Sequence, residues 1–219
     1  MMNVKSLGQR PISLGLKVVD KKAGWTSHDV VAKIRGELRR KYGKKIKVGH
    51  GGTLDPFATG VLLILIGEAT RKFEEIKNWD KEYVLEIELG VETDTGDSTG
   101  VVVREEKVGK IDKASVEKVL KSFVGEFEQE IPKFSAKKIK GKKMYELARA
   151  GKKMAKQTKM VEISEIELLH MKVRNLHVRV VCGGGTYMRQ LAVDVGKKLG
   201  VPAHAKNLRR TRVGEFTLS

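Results

Sequence analysis

VGHGGTLDPFATGVLLI, residues 48–64, is the stretch on which the reading of this chain turns. Its glycines let backbone come close to a partner. Asp55 precedes Pro56, and a following proline ring disfavours the helical basin, so Asp55 is expected to be extended. An acid is thus held between a glycine turn and an apolar run. Such a carboxylate can act on a ligand or can merely cap a turn, and the stretch alone leaves both open. Residues 61–66 are equally open as buried strand or buried helix, because an apolar run without alternation fits either.

On the N-terminal side, Thr26 and Ser27 can cap a helix that runs through Val30, Val31, Ile34 and Leu38 and ends near Gly43. On the C-terminal side, Tyr83, Leu85, Ile87 and Leu89 alternate with polar neighbours, which predicts a half-buried strand. Residues 101–103 are its expected hairpin partner. Asp112 is expected to cap a helix carrying Val116, Val119, Leu120 and Phe123, and a short helix over 144–150 should stop at Gly151. Residues 160–169 and 171–182 read as two strands. Gly183–Gly185 should then turn the chain into a helix from Thr186 to about Leu199, and the C-terminal residues read as a short strand. Strands and helices mix without a βαβ rhythm, which points to α+β. No repeat or linker divides the 219 residues, so one domain spanning 1–219 is expected.

The formal net charge is +17, and its placement says more than its size. Residues 33–47 hold eight basic side chains against one acidic, 132–160 eleven against one, and 206–212 four against none. Clusters of one sign favour a polyanionic partner over a lysine-rich surface, which would interleave both signs. The polar span 132–160 is mostly non-periodic, as functional loops tend to be. No apolar run is long enough to span a bilayer, and the first 17 residues have no apolar core of signal length. Cys182 is the only cysteine, so no internal disulfide can form. A cytoplasmic protein is the expectation.

Several common sites are absent by pattern. The five histidines lack zinc-ligand spacing. Gly49–Gly52 lacks the P-loop lysine, and Met188 stands where a dinucleotide fingerprint needs glycine. The loop TDTGDSTG (93–100) is too short for an EF-hand and reads as a turn.

GHGGTLDPFATGVL nevertheless resembles the signature of the TruB family of pseudouridine synthases, and the likeness does not rest on one string. KAGWTSHDVV (22–31), KEYVLEIELGVETDTGD (81–97), PKFSAKKIKGKKMYELARAG (132–151), GGGTYMRQLAVDVGKKLGVPAH (183–204) and LRRTRVGEF (208–216) resemble further family motifs, in family order over nearly the whole chain. The resemblance implies the pseudouridine synthase fold: a mixed, mostly antiparallel sheet flanked by helices and loops, with a basic RNA-clasping insertion at about 132–160. It implies isomerisation of the T-loop uridine of tRNA without cofactor or metal, by a monomer needing no obligatory protein partner. Most relatives carry a further small RNA-binding domain, and this sequence is expected to lack it.

The resemblance also assigns roles. Asp55 matches the family's catalytic aspartate, and Arg189 the arginine that pairs with it. Tyr83 matches the tyrosine lying against the target base, and Tyr187 and Leu208 match positions lining the uracil site. His50 matches the histidine that fills the gap left by an everted nucleotide. Lys137, Arg209 and Arg210 fall in the basic stretches expected to contact RNA. Lys22, Ile131 and Glu215 stand where the family usually has proline. Two other readings remain at this point: a dyskerin-like, guide-dependent subunit acting on ribosomal RNA, and a non-catalytic RNA-binding or chaperone protein on the same scaffold.

Overall fold

The structure, a computed structural model, describes residues 15–135, 137–139, 141–151 and 155–218. The N-terminal stretch read for a signal lies outside these residues, except for its last three, as do Lys140, Lys152 and Lys153 of the basic span. The chain runs β1 (Leu16–Lys21), α1 (Ser27–Tyr42), β2 (Val48–His50) and β3 (Thr59–Ile66), then a 3-10 turn (Gly67–Lys72) into α2 (Phe73–Ile76). It continues through β4 (Lys81–Leu89), β5 (Val91–Thr93), β6 (Val102–Glu105), α3 (Lys113–Lys121) and β7 (Gly125–Glu130). The basic span forms β8 (Lys138–Ile139), β9 (Lys142–Lys143) and α4 (Met144–Arg149). The remainder is β10 (Thr158–Lys172), β11 (Asn175–Cys182), α5 (Met188–Leu199), β12 (Ala203–Val213) and β13 (Phe216–Thr217). No described helix is long and apolar enough to cross a membrane.

Nine strands make one sheet in the order β1-β3-β12-β4-β11-β10-β7, with β2 on β3 and β13 on β12. The fold is α+β, and every pairing in this sheet is antiparallel except β3 with β12. The run at 61–66 is strand. Its lack of alternation has a physical cause: both faces are buried. Leu62, Ile64 and Ile66 pack under α1 against Val30, Val31 and Ile34, while Val61, Leu63 and Leu65 pack against Ile76 and Val213. A strand covered on both sides reads as a continuous apolar run. β4 does alternate. Leu85, Ile87 and Leu89 join the main core beneath α3 and α5, and its glutamates face the other side.

The caps of α1 and α3 follow the local signals. Thr26 and Asp29 form a reciprocal capping box, Gly43 closes α1 in the left-handed region, and Asp112 accepts from the Ser115 amide.

Three expectations about strands and helix ends are corrected. Residues 101–103 do not pair with β4, because β11 and β12 occupy both its edges. The chain leaves β4 at Gly90 (φ +91°), and β6 pairs instead with β5, leaving Val101 71% exposed. The C-terminal strand is long and central: β12 lies between β3 and β4. α5 begins at Met188, because Thr186 closes the glycine turn on the Gly183 carbonyl and Tyr187 is extended.

Gly60 makes the parallel β3–β12 contact possible. Its φ is +104°, and a Cβ there would stand 2.1 Å from the Arg210 carbonyl oxygen. Gly60→Ala therefore meets both backbone strain and a backbone clash. It is expected to destabilise by roughly 3 kcal/mol or more, lowering the melting temperature in a thermal scan by at least about 5 °C.

His50, at the end of β2, packs edge-on against His28 of α1 with ring centroids 5.4 Å apart. Its Nδ1 is buried without a hydrogen-bond partner among the described residues. Burial, and then the charges of His28 and Arg210, push its imidazole down from 6.5 to about 4. Between those values the unfolded chain holds the extra proton, so stability falls as pH drops below 6.5. The loss is complete below 4 and reaches about 3 kcal/mol. His50→Gln should remove this part of the acid destabilisation, which denaturant midpoints at pH 7, 5 and 4 would reveal as a shrinking wild-type advantage.

Candidate active site

The segment 51–58 is held by buried polar groups reaching in from distant elements. Ser27, in the first turn of α1, accepts from the Leu54 amide at 2.9 Å and donates to the Leu54 carbonyl at 3.1 Å. The reading of Ser27 as part of a helix cap is thus corrected: Thr26 caps the helix, and Ser27 serves the loop. Lys21, 1% exposed at the end of β1, donates to the carbonyls of Lys22, Trp25 and Pro56 at 3.0, 2.7 and 3.2 Å. Burial lowers its amine to about 8, against the pull of the Asp55 carboxylate. Arg210, 2% exposed on β12, donates to the carbonyls of Gly52 and Thr53, both at 3.2 Å, and of Val61 at 2.7 Å. Arg210 thus braces the loop from within, and it also lines the cavity beside Asp55 and Tyr83. Its guanidinium points inward, to two carbonyls at the start of this loop and one in β3.

At the tip of the loop the Asp55 side chain remains 34% exposed, and it meets Arg189 of α5, whose side chain is 4% exposed. Arg189 Nε donates to Asp55 Oδ2 at 2.9 Å, with Nη2 3.5 Å from Oδ1. Nη1 also donates to the Thr95 carbonyl at 2.7 Å and Nη2 to the Phe134 carbonyl at 2.9 Å. A second carboxylate, Asp97, lies 3.6 Å from Nε and is itself held by Thr95 and Thr99. The loop read only as a turn thus supplies two partners to Arg189. A cation with fixed donors stabilises the ionised carboxylate and sets its orientation.

Asp55 and Arg189 line a cavity of about 440 Å³ together with Tyr83, Tyr187 and Leu208. Burial pushes the Tyr83 phenol up, opposed by the nearby Arg210 charge, and burial likewise raises Tyr187 against a hydrogen bond from Ser135 and the charge of Arg189. Both phenols are therefore protonated at neutral pH. A larger cleft of about 870 Å³ lies on the other side of Arg189, against β5 and the basic span, but neither Asp55 nor Tyr83 reaches it.

Other expected residues are placed apart. His50 does not line the cavity. Arg209 points to the outer face of the sheet and pairs with Asp20 through two nitrogens at 3.2 and 3.1 Å. Lys137 is half-buried and faces Lys159. One residue gave no signal in sequence. Gln129, 1% exposed on β7, accepts from the Tyr187 amide at 2.8 Å and donates to the Tyr187 carbonyl at 3.1 Å, fixing the entry to α5. Among the described residues no three His, Cys, Asp or Glu side chains are grouped to hold a metal.

Residues 39–188 match the model of the TruB family pseudouridylate synthase N-terminal domain, and 189–219 match the tRNA pseudouridylate synthase B C-terminal domain. Both stretches contribute to one sheet here. A curated relative named tRNA pseudouridine synthase B, from Parabacteroides distasonis, is 47% identical over 89% of this chain and 83% of its own length. One of the same name from Shouchella clausii is 44% identical over 93% and 68%. Among solved structures, a chain of a Cbf5-Nop10-Gar1 complex superposes with a TM-score of 0.70 at 32% identity, covering 94% of this chain and 50% of that one. The first family model spans more than half of the sequence and the curated relatives exceed 40% identity, so the chain belongs to the TruB family of pseudouridylate synthases.

Proposed function

We propose that this chain isomerises the T-loop uridine of tRNA to pseudouridine, with Asp55 as the catalytic carboxylate. The observation that carries the reading is the Asp55–Arg189 pair at a cavity walled by Tyr83, Tyr187 and Leu208. In the reaction the bond from N1 to C1′ breaks and a bond from C5 to C1′ forms. C5 loses its proton to solvent and N1 gains one. The change is internal to one nucleoside with no net redox step, so the balance needs no co-reactant.

Each group has a physical task. Asp55 is oriented by Arg189 and partly open to the cavity, as a nucleophile or base must be. It can add to the base, capture the sugar, or deprotonate the sugar to release the base. Tyr83 and Tyr187 offer aromatic surface to a uracil ring, and Tyr83 is the candidate to assist proton transfer at C5. A stacked loop cannot present C5 to such a cavity, so the nucleotide must leave the stack at a cost of a few kcal/mol. Phosphate contacts from the basic stretches offset that cost and make binding salt-sensitive. The relatives' shared name directs the choice of RNA to tRNA.

The test uses tRNA tritiated at uracil C5. Wild type should release tritium to water, and Asp55→Ala should slow release by on the order of 10³-fold or more. Equal release by both proteins would remove Asp55 from the chemistry. Absence of release from either would favour a binding protein on this scaffold. An isolated T-arm hairpin should be modified without guide RNA; a strict guide requirement would favour the dyskerin-like reading.

Arg189→Lys tests the pair itself. An ammonium cannot reach Asp55, Thr95 and Phe134 in the plane the guanidinium spans. Single-turnover rates should fall by roughly 10²-fold, with hairpin affinity changed much less. A loss confined to affinity would mean that Arg189 holds RNA and leaves Asp55 to others.

A further inference from the structure

The wall of the cavity also carries a cluster of amines that the chemistry above does not use. Lys159 on β10 lies directly across the strand pair from Gln129. Its Nζ donates to the Gly184 carbonyl at 3.1 Å. It packs so tightly on the glycine turn that a Cβ on Gly185 would stand 2.2 Å from it. Gly185 has a φ of +85°, and Gly184 sits so close to the Lys77 carbonyl that its own Cβ would be 2.1 Å away. The glycines of 183–185 thus seat an ammonium and press the turn against the end of α2.

Lys159, Lys77, Gly184 and Gly185 all line the Asp55 cavity, and Lys77 and Lys137 are the charges that face Lys159. Among the described residues no carboxylate forms an ion pair with Lys159, whereas Lys77 pairs with the exposed Glu74. Burial and these two cations lower the Lys159 amine. Lys81 also lines the cavity but donates to the carbonyls of Ile76, Lys77 and Trp79. Among the described residues Lys159 donates one hydrogen bond, which leaves two N–H groups to spare. Like charges gathered at a half-buried wall are repulsive until an anion joins them.

We propose that Lys159, with Lys77 and Lys137 beside it, is the binding site for one backbone phosphodiester next to the everted uridine. The inference rests on the uridine-isomerising reading. A nucleoside whose C1′ lies at the Asp55 carboxylate brings its flanking phosphates to the cavity walls. The Asp55 carboxylate repels them, and the Lys159 amine offers them donors. The clamp selects no base. It selects a charged linkage at one place along the strand and so sets how deep the nucleotide sits.

The test is a thermodynamic cycle on a T-arm hairpin, in an Asp55→Asn background so that substrate is not consumed. The two phosphodiesters flanking the target uridine are replaced, one at a time, by uncharged methylphosphonate. Lys159→Met should weaken binding of the native hairpin roughly tenfold. On the hairpin lacking one particular flanking charge, the two proteins should bind equally. A penalty for Lys159→Met that persists on both neutralised hairpins overturns the proposal. Lys77→Met, on the same wall, is the second variant, and melting curves show that both are folded. A smaller penalty from Lys77→Met, lost on the same neutralised hairpin, is expected; loss on the other linkage also overturns the shared site. Tritium release by the protein with Asp55 intact is read separately. Release with a persistent penalty sinks the clamp alone, and an erased penalty without release sinks the isomerase reading alone.

Discussion

The Arg189 guanidinium is the point where the fold and the site become one object. It is buried, and its hydrogens reach three segments far apart in sequence: the Asp55 loop, the turn at Thr95 and the strand exit at Phe134. Asp55 and Arg189 are 134 residues apart. A buried cation without its partners is costly by several kcal/mol, so each segment must be in place for the others to be tolerated. This pair is therefore poor evidence of added stability and good evidence of a set geometry. The same bonds that satisfy the charge also hold one carboxylate at the edge of a cavity.

The loop bearing that carboxylate is irregular backbone inside the molecule, and its carbonyls and amides need partners. They find them in side chains sent from the frame. Ser27 from α1, Lys21 from β1 and Arg210 from β12 each bond to it. Two of these are buried cations bonded to carbonyl dipoles. Their positive charge lies near Asp55 and Tyr83, and that of Arg210 opposes the rise that burial imposes on the Tyr83 phenol. Rigidity and electrostatics thus come from the same residues.

Charge is divided between the two sides of the sheet. On the outer face, Arg179 bridges Glu82 and Glu165 at 3.3 and 2.6 Å, Lys206 and Arg174 meet Glu88 at 3.2 and 3.0 Å, and Arg209 meets Asp20. Such exposed pairs add little stability, but they neutralise that face. On the cavity side, Lys159 has no such carboxylate partner among the described residues. Among the described residues the paired charges thus sit apart from the Lys159 amine, which suits an anion arriving at the cavity.

Much of this was legible in the residues alone, because it depends on near neighbours. The capping box at Thr26, the left-handed stop at Gly43, the alternation of β4 and the cap at Asp112 are set by side chains within a few positions of the backbone they serve. The motif resemblance placed Asp55, Tyr83, Tyr187, Arg189 and Leu208 on one list, and the cavity contains all five. What sequence could not decide was who faces whom across the sheet. Adjacent arginines in β12 look alike as letters, yet Arg209 points to solvent and Arg210 to the Asp55 loop, because successive side chains of a strand take opposite faces. β6 lost its expected partner because β4 had no free edge. Gln129 and Lys159 acquired their tasks only when β7 and β10 paired beneath the glycine turn. Local preference is written in adjacent residues; partnership across the fold is settled by which edges and donors remain free once the chain has closed on itself.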